Sequence, residues 1–223
     1  IFHAHPDKIV SMTSLKDPQI AVTCCSDKSL GIWNLSERSL LYRVETTHCD
    51  EISAVISSNN NNFIITGSFD QSIVIWDLSK KKLVHRFSNA HSDRITSLAI
   101  TSDDKFIISG SADKSLVIWS LSDRSFIYRI ENAHLDEITC VAVSTDSQFI
   151  VSGSYDVTVA LWDFSTRECL YVFNNVHSGW ISSVTMDNHN NLIISASYDK
   201  SIAILDVSSK KILYKLQKAH DDV

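Results

Sequence analysis

Prolines are scarce in this chain: Pro6 and Pro18 are the only two among 223 residues, and both fall in connections, where a missing N–H is tolerated. The five cysteines, at 24, 25, 49, 140 and 169, form no C-x-x-C pair, and an odd number leaves one thiol over if the rest were bridged. Free thiols in a reducing intracellular compartment are the expectation, the cytoplasm first and the nucleus left open. There is no signal or transit peptide and no apolar run long enough to span a bilayer, so no membrane partner is expected. A basic excess is absent too. Twenty Lys and Arg stand against 26 Asp and Glu, for a net charge of −6, which argues against direct nucleic-acid binding.

What the chain has in abundance is repetition, the first thing to seek because it decides the fold. Histidines stand at 5, 48, 91, 134, 177 and 220, each interval being 43 residues. Asp27, Asp70, Asp113, Asp156 and Asp199 keep the same period, each 22 residues after a histidine. Trp33, Trp76, Trp119 and Trp162 follow it as well, with Leu205 in the fifth place, and a hydroxyl precedes each aspartate by four: Thr23, Thr66, Ser109, Ser152 and Ser195.

Inside each unit the apolar runs are short and bounded by Asp/Ser/Asn turns, as in DRITSLAIT, KFIISGS, SLVIWSL and SFIYRIE. That pattern predicts four antiparallel strands per unit, about twenty in all. A sheet this small cannot bury both faces alone. Successive sheets must stack, and radial stacking gives a propeller.

Six histidines and five aspartates invite a metal-binding or acid/base reading. Identical positions in successive sheets are rotated about the axis and do not converge on one ion. A catalytic centre also needs one group that acts differently from its copies. The expectation is therefore no catalytic residue, no metal and no cofactor. The histidine instead bonds the aspartate through one nitrogen and the hydroxyl through the other, and the hydroxyl meets the indole N–H, satisfying polar groups inside the sheet junction.

On these residues the chain resembles the WD-repeat (beta-transducin-repeat) beta-propeller family over essentially its whole length. The family's Trp-Asp pair stands as Trp76-Asp77 and Trp162-Asp163, and departs to Trp33-Asn34, Trp119-Ser120 and Leu205-Asp206. The glycine usual before the opening histidine is replaced by Ala4, Thr47, Ala90, Ala133, Val176 and Ala219. The resemblance implies structural tetrads His5-Asp27-Thr23-Trp33, His48-Asp70-Thr66-Trp76, His91-Asp113-Ser109-Trp119 and His134-Asp156-Ser152-Trp162. His177, Ser195 and Asp199 form a fifth that lacks the indole.

The blades are expected at 5–47, 48–90, 91–133, 134–176 and 177–219, with 220–223 opening a further unit. Both ends cut into the repeat. We therefore expect an open fragment of a larger, about seven-bladed propeller, in preference to a closed five-bladed ring or one completed by a second chain.

With the repeated residues assigned to the framework, function is sought where the copies differ. One such position precedes the turn aspartate: Ser26, Phe69, Ala112, Tyr155 and Tyr198. Another lies three after the histidine: Lys8, Glu51, Arg94, Glu137 and Trp180. The resemblance implies that these positions form the partner-binding top face. Phe69, Arg94, Tyr155, Trp180 and Tyr198 are the candidates, because aromatic residues and arginine dominate interface hot spots. The expected function is a non-enzymatic scaffold for protein or peptide partners. The alternative is a regulatory propeller attached to an enzymatic domain, a kinase, ATPase or protease, outside this stretch.

Overall fold

The structure, a computed structural model, describes residues 7–17, 19–44 and 48–219. It is all-β, with five four-stranded antiparallel sheets whose strands are ordered as in the chain. The first sheet holds β1 (Ile9–Ser14), β2 (Ile20–Cys25), β3 (Leu30–Asn34) and β4 (Ser39–Val44). The second holds β5 (Ile52–Ser57), β6 (Phe63–Ser68), β7 (Ile73–Asp77) and β8 (Lys82–Phe87). In the third are β9 (Ile95–Ile100), β10 (Phe106–Ser111), β11 (Leu116–Ser120) and β12 (Ser125–Ile130). The fourth comprises β13 (Ile138–Val143), β14 (Phe149–Ser154), β15 (Val159–Asp163) and β16 (Cys169–Phe173). The fifth comprises β17 (Ile181–Met186), β18 (Leu192–Ser197), β19 (Ile202–Asp206) and β20 (Lys211–Leu216).

Two compact units can be distinguished, residues 1–100 and 101–223, the boundary falling between β9 and β10. In the first, a core of Val22, Cys24, Leu30, Ile32, Ile52, Val55 and Ile64 lies between consecutive sheets. In the second, Val151, Val159, Leu161, Phe173, Ile181, Val184 and Ile193 do the same. The burial follows from sequence pattern. Second and third strands such as FIVSGS and VALWD are apolar in near-continuous runs and are covered on both faces. Fourth strands such as SFIYRI alternate between half-buried and exposed side chains, and only the last, Ile130, is buried.

Neighbouring sheets interlock through small residues. A Cβ on Gly153 of β14 would run into Ile181 Cγ2 of β17 and approach Cys140 Sγ to 2.8 Å, so only glycine lets the next sheet's isoleucine seat itself there. All five cysteines are free thiols. Burial pushes the Cys24 thiol up to about 12 and that of Cys140 up to about 11, so both behave as core residues rather than nucleophiles.

Candidate functional site

In the second, fourth and fifth sheets the repeated polar residues meet at the mouth of the sheet, where the turn between second and third strands faces the loop entering the first. In the second sheet His48 Nδ1 lies 3.1 Å from Asp70 Oδ2, and its Nε2 lies 2.8 Å from Thr66 Oγ1. The fourth repeats this, with His134 Nδ1 at 3.0 Å from Asp156 Oδ2 and Nε2 at 2.7 Å from Ser152 Oγ, which accepts from Trp162 Nε1 at 2.9 Å. In the fifth, His177 Nδ1 stands 3.3 Å from Asp199 Oδ1 and Nε2 2.8 Å from Ser195 Oγ, while Leu205 supplies no donor. Trp33 Nε1 donates to Thr23 Oγ1 at 2.8 Å and Trp119 Nε1 to Ser109 Oγ at 2.9 Å. His91 is buried. His5 lies outside the described residues. Trp76 departs from the pattern: its Nε1 is buried without a hydrogen-bond partner among the described residues, and Thr66 is not joined to it.

Two further sets of residues belong to these networks and were not singled out in the sequence. A hydroxyl two after each aspartate donates to its carboxylate: Ser29, Ser72, Ser115 and Thr158 at 2.6 Å, and Ser201 likewise. A cation sixteen after the aspartate pairs with it in four sheets: Arg43 with Asp27, Arg86 with Asp70, Arg129 with Asp113, and Lys215 with Asp199. Both sets keep the 43-residue period, the signal that could have found them.

Burial by itself would raise the Asp70 carboxyl. Hydrogen bonds from His48, Ser72 and the Cys49 N–H outweigh it and hold Asp70 well below the usual carboxylate range. At Asp156 burial is likewise outweighed, by His134 and Thr158, and at Asp199 by Ser201, the Ser178 N–H and Lys215. His48, His134 and His177 are thus engaged with Asp70, Asp156 and Asp199. Among the described residues no group of three or more His, Cys, Asp or Glu side chains is placed to hold a metal ion.

The variable residues form a second layer just outside. Within a sheet, the residue before the aspartate donates its N–H to the carbonyl of the residue three after the histidine: Ser26 to Lys8, Phe69 to Glu51, Tyr155 to Glu137 and Tyr198 to Trp180, each at 2.9 Å. Between sheets the side chains meet. In the first unit the Arg94 guanidinium stands 5.5 Å from the centroid of the Phe69 ring, a cation–π contact. In the second unit Tyr155 stacks on Trp180, centroids 4.5 Å apart and planes at 28°, and Tyr198 meets the same indole edge-on at 5.9 Å and 70°. Trp180 and Tyr198 nonetheless keep 49% and 48% of their surface exposed.

Comparison with known proteins places this geometry in a family. The chain matches no curated protein. Among solved structures it resembles "Structure of U3-55K", at 21% identity and a TM-score of 0.89, over 97% of this chain and 66% of that one. It resembles "Crystal structure of RRP9 WD40 repeats" equally, at 21% identity and a TM-score of 0.89, over 97% of this chain and 65% of that one. The chain thus spans slightly less than two thirds of the length of either, and the likeness establishes a WD40-repeat beta-propeller fold, typical of protein-interaction scaffolds.

One expectation is corrected here. Both solved proteins are nuclear, nucleolar WD40 proteins, which overturns the cytoplasmic placement. The thiol argument behind it separates reducing from oxidising compartments, and cytosol and nucleus are both reducing. A family match covers residues 3–220, nearly the whole sequence. The chain belongs to the NWD2 C-terminal beta-propeller family.

Proposed function

We propose that this chain is a non-enzymatic scaffold that presents the variable residues of its top face to protein or peptide partners. The observation that carries the reading is Trp180, stacked on Tyr155, met edge-on by Tyr198, and still half exposed. Ring pairs of this kind contribute about 0.5–1.5 kcal/mol beyond area burial, so the indole is held in place before a partner arrives. A large aromatic side chain pre-ordered in this way loses little entropy on binding, the property that makes Trp and Tyr interface anchors. In the first unit Phe69 and Arg94 offer a smaller contact of the same type, with Glu51 bonded to Phe69 and Lys8 at the equivalent position of the first sheet giving mixed charge suited to polypeptide rather than to a phosphate backbone. Replacing both Trp180 and Tyr198 by Ala is expected to lower the thermal midpoint modestly, through loss of about 1–3 kcal/mol from the two ring pairs, to leave unfolding cooperative, and to abolish capture of a partner that the unaltered protein captures. Retention of every partner by the double variant overturns the reading.

A further inference from the structure

The fourth sheet lacks something that its sisters possess. Opposite the second residue of each third strand, the fourth strand places one residue in a fixed register: Arg43 facing Gly31, Arg86 facing Val74, Arg129 facing Val117, Val172 facing Ala160 and Lys215 facing Ala203. Four of these are cations, and each reaches the turn aspartate of its own sheet. Arg129 shows the geometry best, its Nη1 donating to Asp113 Oδ2 at 3.1 Å and to Ser115 Oγ at 3.0 Å.

In the fourth sheet the corresponding acceptors are present and the cation is not. Asp156 Oδ2 accepts from His134 Nδ1 at 3.0 Å and from the Leu135 N–H at 2.9 Å, and Thr158 Oγ1 donates to Oδ1, as in the sheets that hold an arginine. No lysine or arginine pairs with Asp156 among the described residues. In place of the guanidinium there is a cavity of about 330 Å³ bordered by His134, Leu135, Asp156, Thr158, Val172 and Asn174. Leu135 is 86% exposed at its edge, where the other repeats carry Pro6, Cys49, Ser92 and Ser178. A buried carboxylate flanked by two apolar walls suits one chemistry: a cationic head on a long aliphatic stem.

We propose that this cleft binds an arginine side chain donated by a partner polypeptide, which supplies from outside the guanidinium that three sister sheets carry within their own chain and that the Lys215 ammonium replaces in the fifth. The fork bridges Asp156 Oδ2 and Thr158 Oγ1, and the methylene stem lies against Val172 and Leu135. Arginine is favoured over lysine because bridging a carboxylate and a hydroxyl needs two donors in a fixed plane, which a guanidinium has and an ammonium must reorient to match. The site is separate from the aromatic residues of the proposed partner face and stands or falls independently of them.

The test follows the methyl signals of Leu135, Thr158 and Val172 by NMR while the intact chain is titrated with N-acetyl-arginine amide, N-acetyl-lysine amide and the neutral isostere N-acetyl-citrulline amide. Saturable shifts of all three methyls with arginine, several-fold weaker binding of lysine and none of citrulline are expected. Val172→Arg should abolish the response and raise the thermal midpoint, because the cleft is then filled from within. Leu135 is exposed enough to vary without disturbing the fold, so Leu135→Glu should tighten arginine binding and Leu135→Lys weaken it, whether or not Val172→Arg folds. Absence of a saturable shift with arginine, equal binding of lysine or citrulline, or indifference to the charge at 135 overturns the proposal.

Discussion

Trp162 Nε1 donates to Ser152 Oγ at 2.9 Å, across ten residues of chain and the β14–β15 pair, whereas the equivalent atom of Trp76 is buried with no partner. The two indoles occupy one repeat position; Trp162 is the more deeply buried and also meets His134 edge-on, and the hydrogen bond is the polar contact in which they differ. Replacing Trp162 by Phe should therefore cost about 1 kcal/mol more than replacing Trp76 by Phe, since the loss of ring volume is common to both. Denaturant unfolding of the two variants measures the difference, and equal losses would count against the bond's contribution.

Asp113 accepts from the Ser115 N–H at 3.0 Å and from Ser115 Oγ at 2.6 Å, and pairs with Arg129. Asp113→Ala leaves those donors without their acceptor in a site where the carboxylate is only 5% exposed. A destabilisation of about 1–3 kcal/mol is expected, read as a lower thermal midpoint. An unchanged midpoint would contradict a framework role for the repeated aspartates.

His177 is the group whose titration sets an acid limit on the fifth sheet. Burial lowers its pKa, Asp199 opposes the shift, and the Lys215 ammonium adds to it. The unfolded imidazole, at about 6.5, binds its proton more tightly than the folded one. Stability from neutral His177 is therefore complete above about pH 6.5 and falls as pH drops from there toward the folded pKa. The depressed Asp70, Asp156 and Asp199 carboxyls act lower, their contribution intact above about pH 4 and lost as pH falls through their folded values. An NMR titration of His177 should give a midpoint below 6.5 that rises in Lys215→Gln; a midpoint at or above the free value would be inconsistent with this account.

The residue after each turn aspartate has a left-handed backbone, at Lys28, Gln71, Lys114, Val157 and Lys200. Val157, at φ 63°, is the β-branched member of this set, and a branched Cβ crowds the backbone in that region. Val157→Asn should stabilise the protein by about 1 kcal/mol, because asparagine tolerates the left-handed region far better. A thermal midpoint that stays level or falls would show that the valine makes compensating contacts.

Much of the architecture could be seen in the sequence because polar residues that bond to one another must keep their spacing in every copy. The interval of 43 between His134 and His177, and of 22 between His134 and Asp156, follows from the strands that separate them. The arginines of the fourth strands keep the same period, but apart from that period an Arg in an alternating strand carries no mark of the carboxylate beneath it. Compartment was not legible at all, because a reducing environment is common to cytosol and nucleus.

By itself, then, the sequence determined the repeat, the strand order within each sheet and the pairs of residues that share a turn, all of which rest on local spacing and alternation. Only the tertiary structure decided that Trp180 meets Tyr155 of the preceding sheet, that Trp76 misses Thr66, and that Asp156 faces a cleft where its sisters face a cation. Those outcomes depend on how sheets pack and which way a side chain turns in the space left to it, and spacing along a chain does not encode either.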